Sequence, residues 1–194
     1  MKNIYRFLFG RFFWIQYGKQ LKYKGTWRKG FFHGTGSLKY ANGSTYTGEF
    51  FEGSKNGYGH YISSEGYEYV GDWVCGKQSG NAQVNYKNGD LYTGKLKDGL
   101  RDGQGELFQV SSNRNYKGRW TKDRLQGEIE ITDPKWIFNG SVEVSTGIGS
   151  GTLNYKDGSK YSGELVAFKR QGEGTLEFKS GEIISGLWTG NVNV

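Results

Sequence analysis

The side chains that could do chemistry in this chain are few: two histidines, His33 and His60, a single cysteine, Cys75, and 19 carboxylates. A metal site or a nucleophile–base pair needs its members close together, and short, repeated spacings are how a sequence advertises that. Here the histidines stand 27 residues apart, none sits at a metal-ligand spacing, and no carboxylate pair recurs. Gly-x-Gly segments such as Gly34-Thr35-Gly36 have the composition of a phosphate cradle. They lead into alternating, strand-like sequence, whereas a phosphate loop needs a helix N-terminus after it. A lone cysteine forms no internal disulfide, which fits a reducing, intracellular setting. No catalytic residue, metal or cofactor is therefore expected, and the chain reads as a non-enzyme. Its function must lie in a surface.

That surface is organised by a repeat. Taking Y-x-G-x-W as the start of a unit, starts fall at Tyr23, Tyr46, Tyr69, Tyr92, Tyr116, Phe138, Tyr161 and Ile184, at spacings of 23, 23, 23, 24, 22, 23 and 23. A glycine stands two residues after every start (Gly25 to Gly186) and eleven residues after each of the first seven (Gly34 to Gly172). In all, 29 of the 33 glycines fall on five offsets of one period. Such glycine content with a single proline could mark collagen or disorder, but no Gly-x-y period is present and 16% of the residues are aromatic.

Each unit reads as a β-hairpin. The segments Tyr23–Arg28 and Gly34–Tyr40 alternate with period two, with Lys29–His33 between them. Ala41-Asn42-Gly43 turns into the next unit, and Asn88-Gly89 and Asp157-Gly158 in matching places suit tight turns that need positive φ. One parity carries rings and bare glycines (Tyr23, Gly25, Trp27; then Gly34, Gly36, Leu38, Tyr40). A ring can lie flat across a neighbouring backbone that has no Cβ, so one layer can bury its own aromatics. The expected fold is all-β: an elongated, single-layer antiparallel β-hairpin solenoid. Residues 1–22 form an N-terminal cap or half-repeat, 23–183 hold seven repeats, and 184–194 form a C-terminal half-repeat cap.

The pattern Y-x-G-x-W-x-x-G-x-x-x-G-x-G resembles the MORN (membrane occupation and recognition nexus) repeat family over about residues 23–190. The resemblance implies a twisted β-solenoid that scaffolds proteins in cytoskeletal or ciliary (axonemal) assemblies and binds extended peptides or lipid headgroups. It also implies a partner-binding groove of aromatics: Tyr23, Trp27, Tyr46, Phe50, Tyr69, Trp73, Tyr92, Trp120, Phe138 and Tyr161. The unit at Tyr116 departs from the pattern with Asp123, Ile129, Asp133 and Trp136, and it holds the only proline, Pro134. A bend or bulge is expected there.

Two further surfaces are candidates. On the opposite parity, mostly polar, Phe51, Tyr58, Ile62, Val70 and Val74 form an expected outer apolar patch. The other surface is electrostatic. The chain carries +7, yet nine basic residues precede the first acid, Glu49, leaving 17 basic against 19 acidic groups in the rest. Lys2, Arg6 and Arg11, interleaved with the rings of Met1–Ile15, and Lys19, Lys22 and Lys24 after them could hold an anionic phospholipid surface or simply belong to the end cap. The apolar run is too short to span a membrane as a helix. A protein partner, as an extended peptide or a helix, is the first expectation. An anionic membrane is the second, a homodimer through the end strands is a further option, and nucleic acid is not expected because no module for it is visible. The setting expected is intracellular: cytoplasm and cytoskeleton, a cilium, or the membrane periphery.

Overall fold

The computed structural model describes residues 15–17 and 21–194 and divides into two compact units, up to Leu100 and from Arg101 onward. Among the described residues there is no helix. The first unit comprises β1 (Ile15–Tyr17), β2 (Leu21–Arg28), β3 (Phe31–Tyr40), β4 (Thr45–Phe51), β5 (Ser54–Ile62), β6 (Glu68–Val74), β7 (Lys77–Asn85) and β8 (Leu91–Lys97). The second comprises β9 (Leu100–Gln109, entering at Arg101), β10 (Arg114–Thr121), β11 (Arg124–Thr132), β12 (Trp136–Glu143), β13 (Ile148–Tyr155), β14 (Lys160–Val166), β15 (Lys169–Glu177), β16 (Ile183–Thr189) and β17 (Val192–Asn193). Within each unit every strand pairs antiparallel with the next. The first pairing, Ile15 opposite Tyr23, uses the register by which Leu38 faces Tyr46 between successive repeats.

Register explains the glycines. Across β2, β3, β4 and β5, Gly25 faces Gly36, Gly36 faces Gly48 and Gly48 faces Gly59, so a bare-backbone lane runs across the strands. Beside it Tyr23 and Tyr46 lay their rings flat, and each hydroxyl donates to a main-chain carbonyl three residues on, at 2.9 Å to Thr26 and to Glu49. Tyr69, Tyr92 and Tyr161 repeat the bond to Asp72, Lys95 and Glu164. Tyr23, Tyr46, Tyr69, Tyr92, Tyr161 and Phe138 are fully buried. Among the described residues no second layer seals them; their neighbours in the same sheet do.

The glycine at offset eleven has another reason. Between Gly25–Gly36 and Trp27–Phe32 the ladder slips, leaving three residues on β3 against one on β2. Gly34 sits in this bulge at φ 63°, with Gly57, Gly80 and Gly172 equivalent at 76°, 73° and 62°. Glu49 and Asp72 close the bulges, their carboxylates accepting the N–H of Tyr58 at 3.0 Å and of Asn81 at 2.9 Å. A bulge is indeed present in the Tyr116 unit, between Lys117 and Arg119. It is not that unit's mark, because four regular hairpins carry the same slip. What sets this stretch apart is its return turn, where Asp133, Pro134 and Lys135 precede a buried Trp136.

The turns correct one expectation. At Asn42-Gly43, Asn88-Gly89 and Asp157-Gly158 only the glycine has positive φ. The Asn or Asp instead accepts the N–H two residues on, at 3.0, 3.2 and 2.8 Å. The two-residue turns in which both φ values are positive lie at the other hairpin end, at Lys29-Gly30, Glu52-Gly53, Cys75-Gly76 and Asp98-Gly99. The turn expected over 29–33 therefore shrinks to two residues, and β3 begins at Phe31. In the second unit Ala167-Phe168 makes this turn without glycine, at φ 53° and 56°. Left-handed backbone costs a residue with a Cβ about 1–2 kcal/mol, partly offset by the freedom glycine gives the unfolded chain. Ala167→Gly should thus stabilise the protein by about 0.5 kcal/mol, read as a higher urea midpoint at unchanged slope.

Candidate functional site

Five buried rings of the first unit and the exposed Trp27 at their end form one edge-to-face chain. Trp27 meets Tyr23 at 5.3 Å, Tyr23 meets Phe50 at 5.4 Å, Phe50 meets Tyr46 at 5.1 Å, Tyr46 meets Trp73 at 5.3 Å and Trp73 meets Tyr69 at 5.1 Å. Such pairs contribute on the order of 1 kcal/mol each beyond their burial. Of the ten rings expected to line a groove, nine are buried and Trp27 alone keeps 36% of its surface. They are the floor of the face because each ring is covered by the strands on either side of it.

The aromatic surface left accessible is a second row, at the far end of the second strands and in the turns that follow them. Tyr40 ends β3, Tyr61 lies on β5, Tyr67 precedes β6 and Tyr86 follows β7, and all four are half-buried. Tyr61 lies 6.4 Å from Tyr40 and 6.3 Å from Tyr67, and Tyr67 lies 6.1 Å from Tyr86. The Tyr67 hydroxyl donates to Gln78 Oε1 at 2.9 Å, which steadies the middle of the row. Burial pushes the Tyr40 and Tyr67 phenols above the ordinary tyrosine value, and Tyr23 beneath rises to about 12 by burial, opposed by a backbone hydrogen bond. The row is a neutral, apolar ledge.

Beneath it Lys55 places its Nζ 4.4 Å from the Trp73 ring, 4.7 Å from Tyr61, 4.8 Å from Tyr46 and 5.4 Å from Tyr40. Burial lowers its ammonium to about 8. The position obeys a rule that pattern reading missed. Nine residues after a start, a cation stacks on the tryptophan four residues into the next unit: Lys55 on Trp73, Arg101 on Trp120 at 4.2 Å, Arg170 on Trp188 at 4.6 Å. Where the next unit has Leu96 or Val142 instead, the place holds Gln78 or Leu125. This correlation was available in the sequence as a cation paired with each of Trp73, Trp120 and Trp188.

The outer face is less apolar than expected. Phe51, Tyr58, Ile62 and Val74 are exposed and Val70 is half-buried. Polar residues face each across the ladder: Ser54 for Phe51, Asp72 for Tyr58, Thr45 and Glu68 for Ile62, His60 and Gln83 for Val70, Lys77 for Val74. His60 Nε2 and Glu68 Oε1, 2.6 Å apart, run through the middle. Of the proposed lipid contacts, Lys22 is exposed and faces Lys39, and Lys24 is half-buried opposite Ser37. Lys2, Arg6, Arg11 and Lys19 lie outside the described residues. Among the described residues no three metal-ligating side chains cluster, and no helix is long and apolar enough to cross a membrane.

The MORN repeat family profile matches residues 23–45, 46–66, 69–91, 92–113 and 161–183, more than half of the chain. The unmatched stretch between them holds the divergent unit with Pro134 and Trp136. No curated protein sequence matches the chain. Among solved structures, it is similar to the SAS-4 (dCPAP) TCP domain of Drosophila melanogaster in complex with a proline-rich motif of Ana2 (dSTIL). That match has 16% identity and a TM-score of 0.52, covering 80% of this chain and 84% of that one. The TCP10c domain of Drosophila melanogaster Sas-4 matches at 15% identity and TM-score 0.51, covering 80% and 93%. The likeness is one of fold.

Proposed function

The chain belongs to the MORN repeat family, and from that premise we propose that it is a non-enzymatic protein-interaction scaffold whose ledge grips an extended, proline-rich segment of a partner. The observation that carries the reading is the row Tyr40, Tyr61, Tyr67 and Tyr86, half-exposed rings at 6.1–6.4 Å intervals on a rigid sheet. Polyproline II advances about 3.1 Å per residue and repeats every three, so one edge of such a segment can lie along the row. Aromatic-lined grooves take such segments because little conformational entropy is left to lose. The proline-rich motif bound by the Drosophila SAS-4 domain supports the choice of ligand. A cytoskeletal or ciliary assembly inside the cell is the setting this reading favours.

The test is a fluorescence anisotropy titration of the full chain with a labelled proline-rich peptide. Tyr67→Ala and Tyr86→Ala should each weaken binding roughly tenfold, the usual scale for an aromatic anchor. Thermal melting should shift little, because neither ring belongs to the buried chain. Unaltered affinity in both variants would remove the ledge from consideration.

The second reading, a peripheral membrane adaptor, rests on nine basic residues preceding Glu49. It requires salt-sensitive pelleting with phosphatidylserine vesicles that reversal of Lys22 and Lys24 diminishes.

A further inference from the structure

We infer that the ledge selects proline-rich segments bearing an acidic residue, whose carboxylate meets the Lys55 ammonium between Tyr40 and Tyr61. This rests on the ledge being a peptide site and adds the chemistry of its ligand. The three stacked cations of the repeat are not alike. Arg101 Nε donates to Asp123 Oδ1 at 2.9 Å, and Arg170 Nε to Asn191 Oδ1 at 3.3 Å. Lys55, among the described residues, has neither a hydrogen-bond acceptor nor a carboxylate within ion-pair distance of Nζ. Four rings stand around it.

Ring faces attract the cation but accept its N–H bonds poorly, so a half-buried ammonium with three donors is left in deficit. The neighbouring hydroxyls do not fill it. Nζ meets Tyr40, Tyr46 and Tyr61 at their ring faces, and no hydrogen bond joins it to their hydroxyls among the described residues. The carboxylate of Glu49 is itself engaged with the Tyr58 N–H. A main-chain carbonyl from a neutral peptide would supply an acceptor alone, whereas a carboxylate supplies acceptors and the missing countercharge in a site of reduced dielectric. With a triplet period in polyproline II, one side chain in three points back along the same edge, so an acid flanked by prolines can reach Lys55 while the prolines lie on the rings.

Protonation gives an independent handle. The groups facing Nζ are Tyr40 from β3, Tyr46 from β4, Tyr61 from β5 and Trp73 from β6. Burial holds Tyr40 and Tyr46 above the ordinary phenol value, so they stay neutral where the amine titrates, near 8. A bound carboxylate favours the ammonium. Preference for an acidic peptide is thus full between about pH 5, where the peptide's glutamate is ionised, and about pH 7, and fades as the pH rises through the amine's range.

The experiment compares two labelled peptides of about twelve residues, one of Pro-Pro-Glu triplets and one of Pro-Pro-Gln triplets, on the full chain at low salt. The wild type should bind the Glu peptide roughly tenfold tighter at pH 7. Lys55→Met, which keeps the unbranched stem between the rings, should erase most of that ratio and its pH dependence, the Glu peptide losing far more affinity than the Gln peptide. Equal affinity of the wild type for both peptides overturns the inference alone. So does a ratio that persists in Lys55→Met, since it would then come from the chain's overall positive charge. Failure of both peptides to bind the folded wild type overturns the ledge reading and the inference with it.

Discussion

Gly59→Ala is expected to destabilise the first unit by about 3 kcal/mol, at the top of the range for overpacking a core. A Cβ there would stand 2.5 Å from Tyr46 Cε2 and 2.6 Å from Cζ, well inside van der Waals contact. The ring has nowhere to go. Phe50 and Trp73 hold it edge-to-face at 5.1 and 5.3 Å, and its hydroxyl is tied to Glu49 at 2.9 Å. Tyr46→Leu removes the obstacle, so Gly59→Ala should cost far less in that background, with a coupling of about 2 kcal/mol. Gly48→Ala is the control. Its Cβ would meet Tyr46 Oη at 2.6 Å but also main chain, Gly59 Cα at 2.5 Å and Tyr58 O at 2.6 Å, so trimming Tyr46 relieves only part of the clash. Urea denaturation followed by tryptophan fluorescence reads all four. Gly59→Ala at less than about 1 kcal/mol would refute the claim that rings and bare backbone interlock.

In the second unit the largest loss is expected from Asp133→Ala, about 3 kcal/mol. Asp133 Oδ2 accepts Arg114 Nε at 2.8 Å and its Oδ1 accepts the Lys135 N–H at 2.9 Å, with only 10% of the carboxylate side chain in contact with water. The guanidinium it holds lies 5.2 Å from the Trp136 ring and 5.6 Å from Phe168, which themselves stack at 5.5 Å. Removing the acid leaves a cation among rings without a counterion and frees the turn at Pro134. The figure sits at the low end for a broken pair because Arg114 keeps 29% of its side chain exposed. Replacing both members, Arg114→Met with Asp133→Ala, should cost less than Asp133→Ala alone. Thermal melts of Asp133→Ala, Arg114→Met and the double variant check this, and additive losses would deny the pair its role.

Much of the fold was legible before any coordinates. Hairpins, their starts and the parity of rings against glycines follow from a period of 23 and an alternation of two, which are local and repeat seven times. The candidate site was less so. Tyr23 and Tyr40 share a parity and look equivalent as letters, yet Tyr23 is sealed and Tyr40 is half-exposed, since cover comes from strands on either side. Lys55, Arg101 and Arg170 carry no mark within their own unit, because their aromatic partners belong to the next repeat.

The sequence by itself determined the antiparallel hairpin order, since each short unit can only bury its rings against the units beside it. Only the tertiary structure decided which rings a partner can touch, why Gly34 and its equivalents must be glycine, and which turn carries the left-handed pair. Those depend on register slips between strands and on contact across repeats. Such distances arise once neighbouring ribbons are laid side by side, and no single ribbon encodes them.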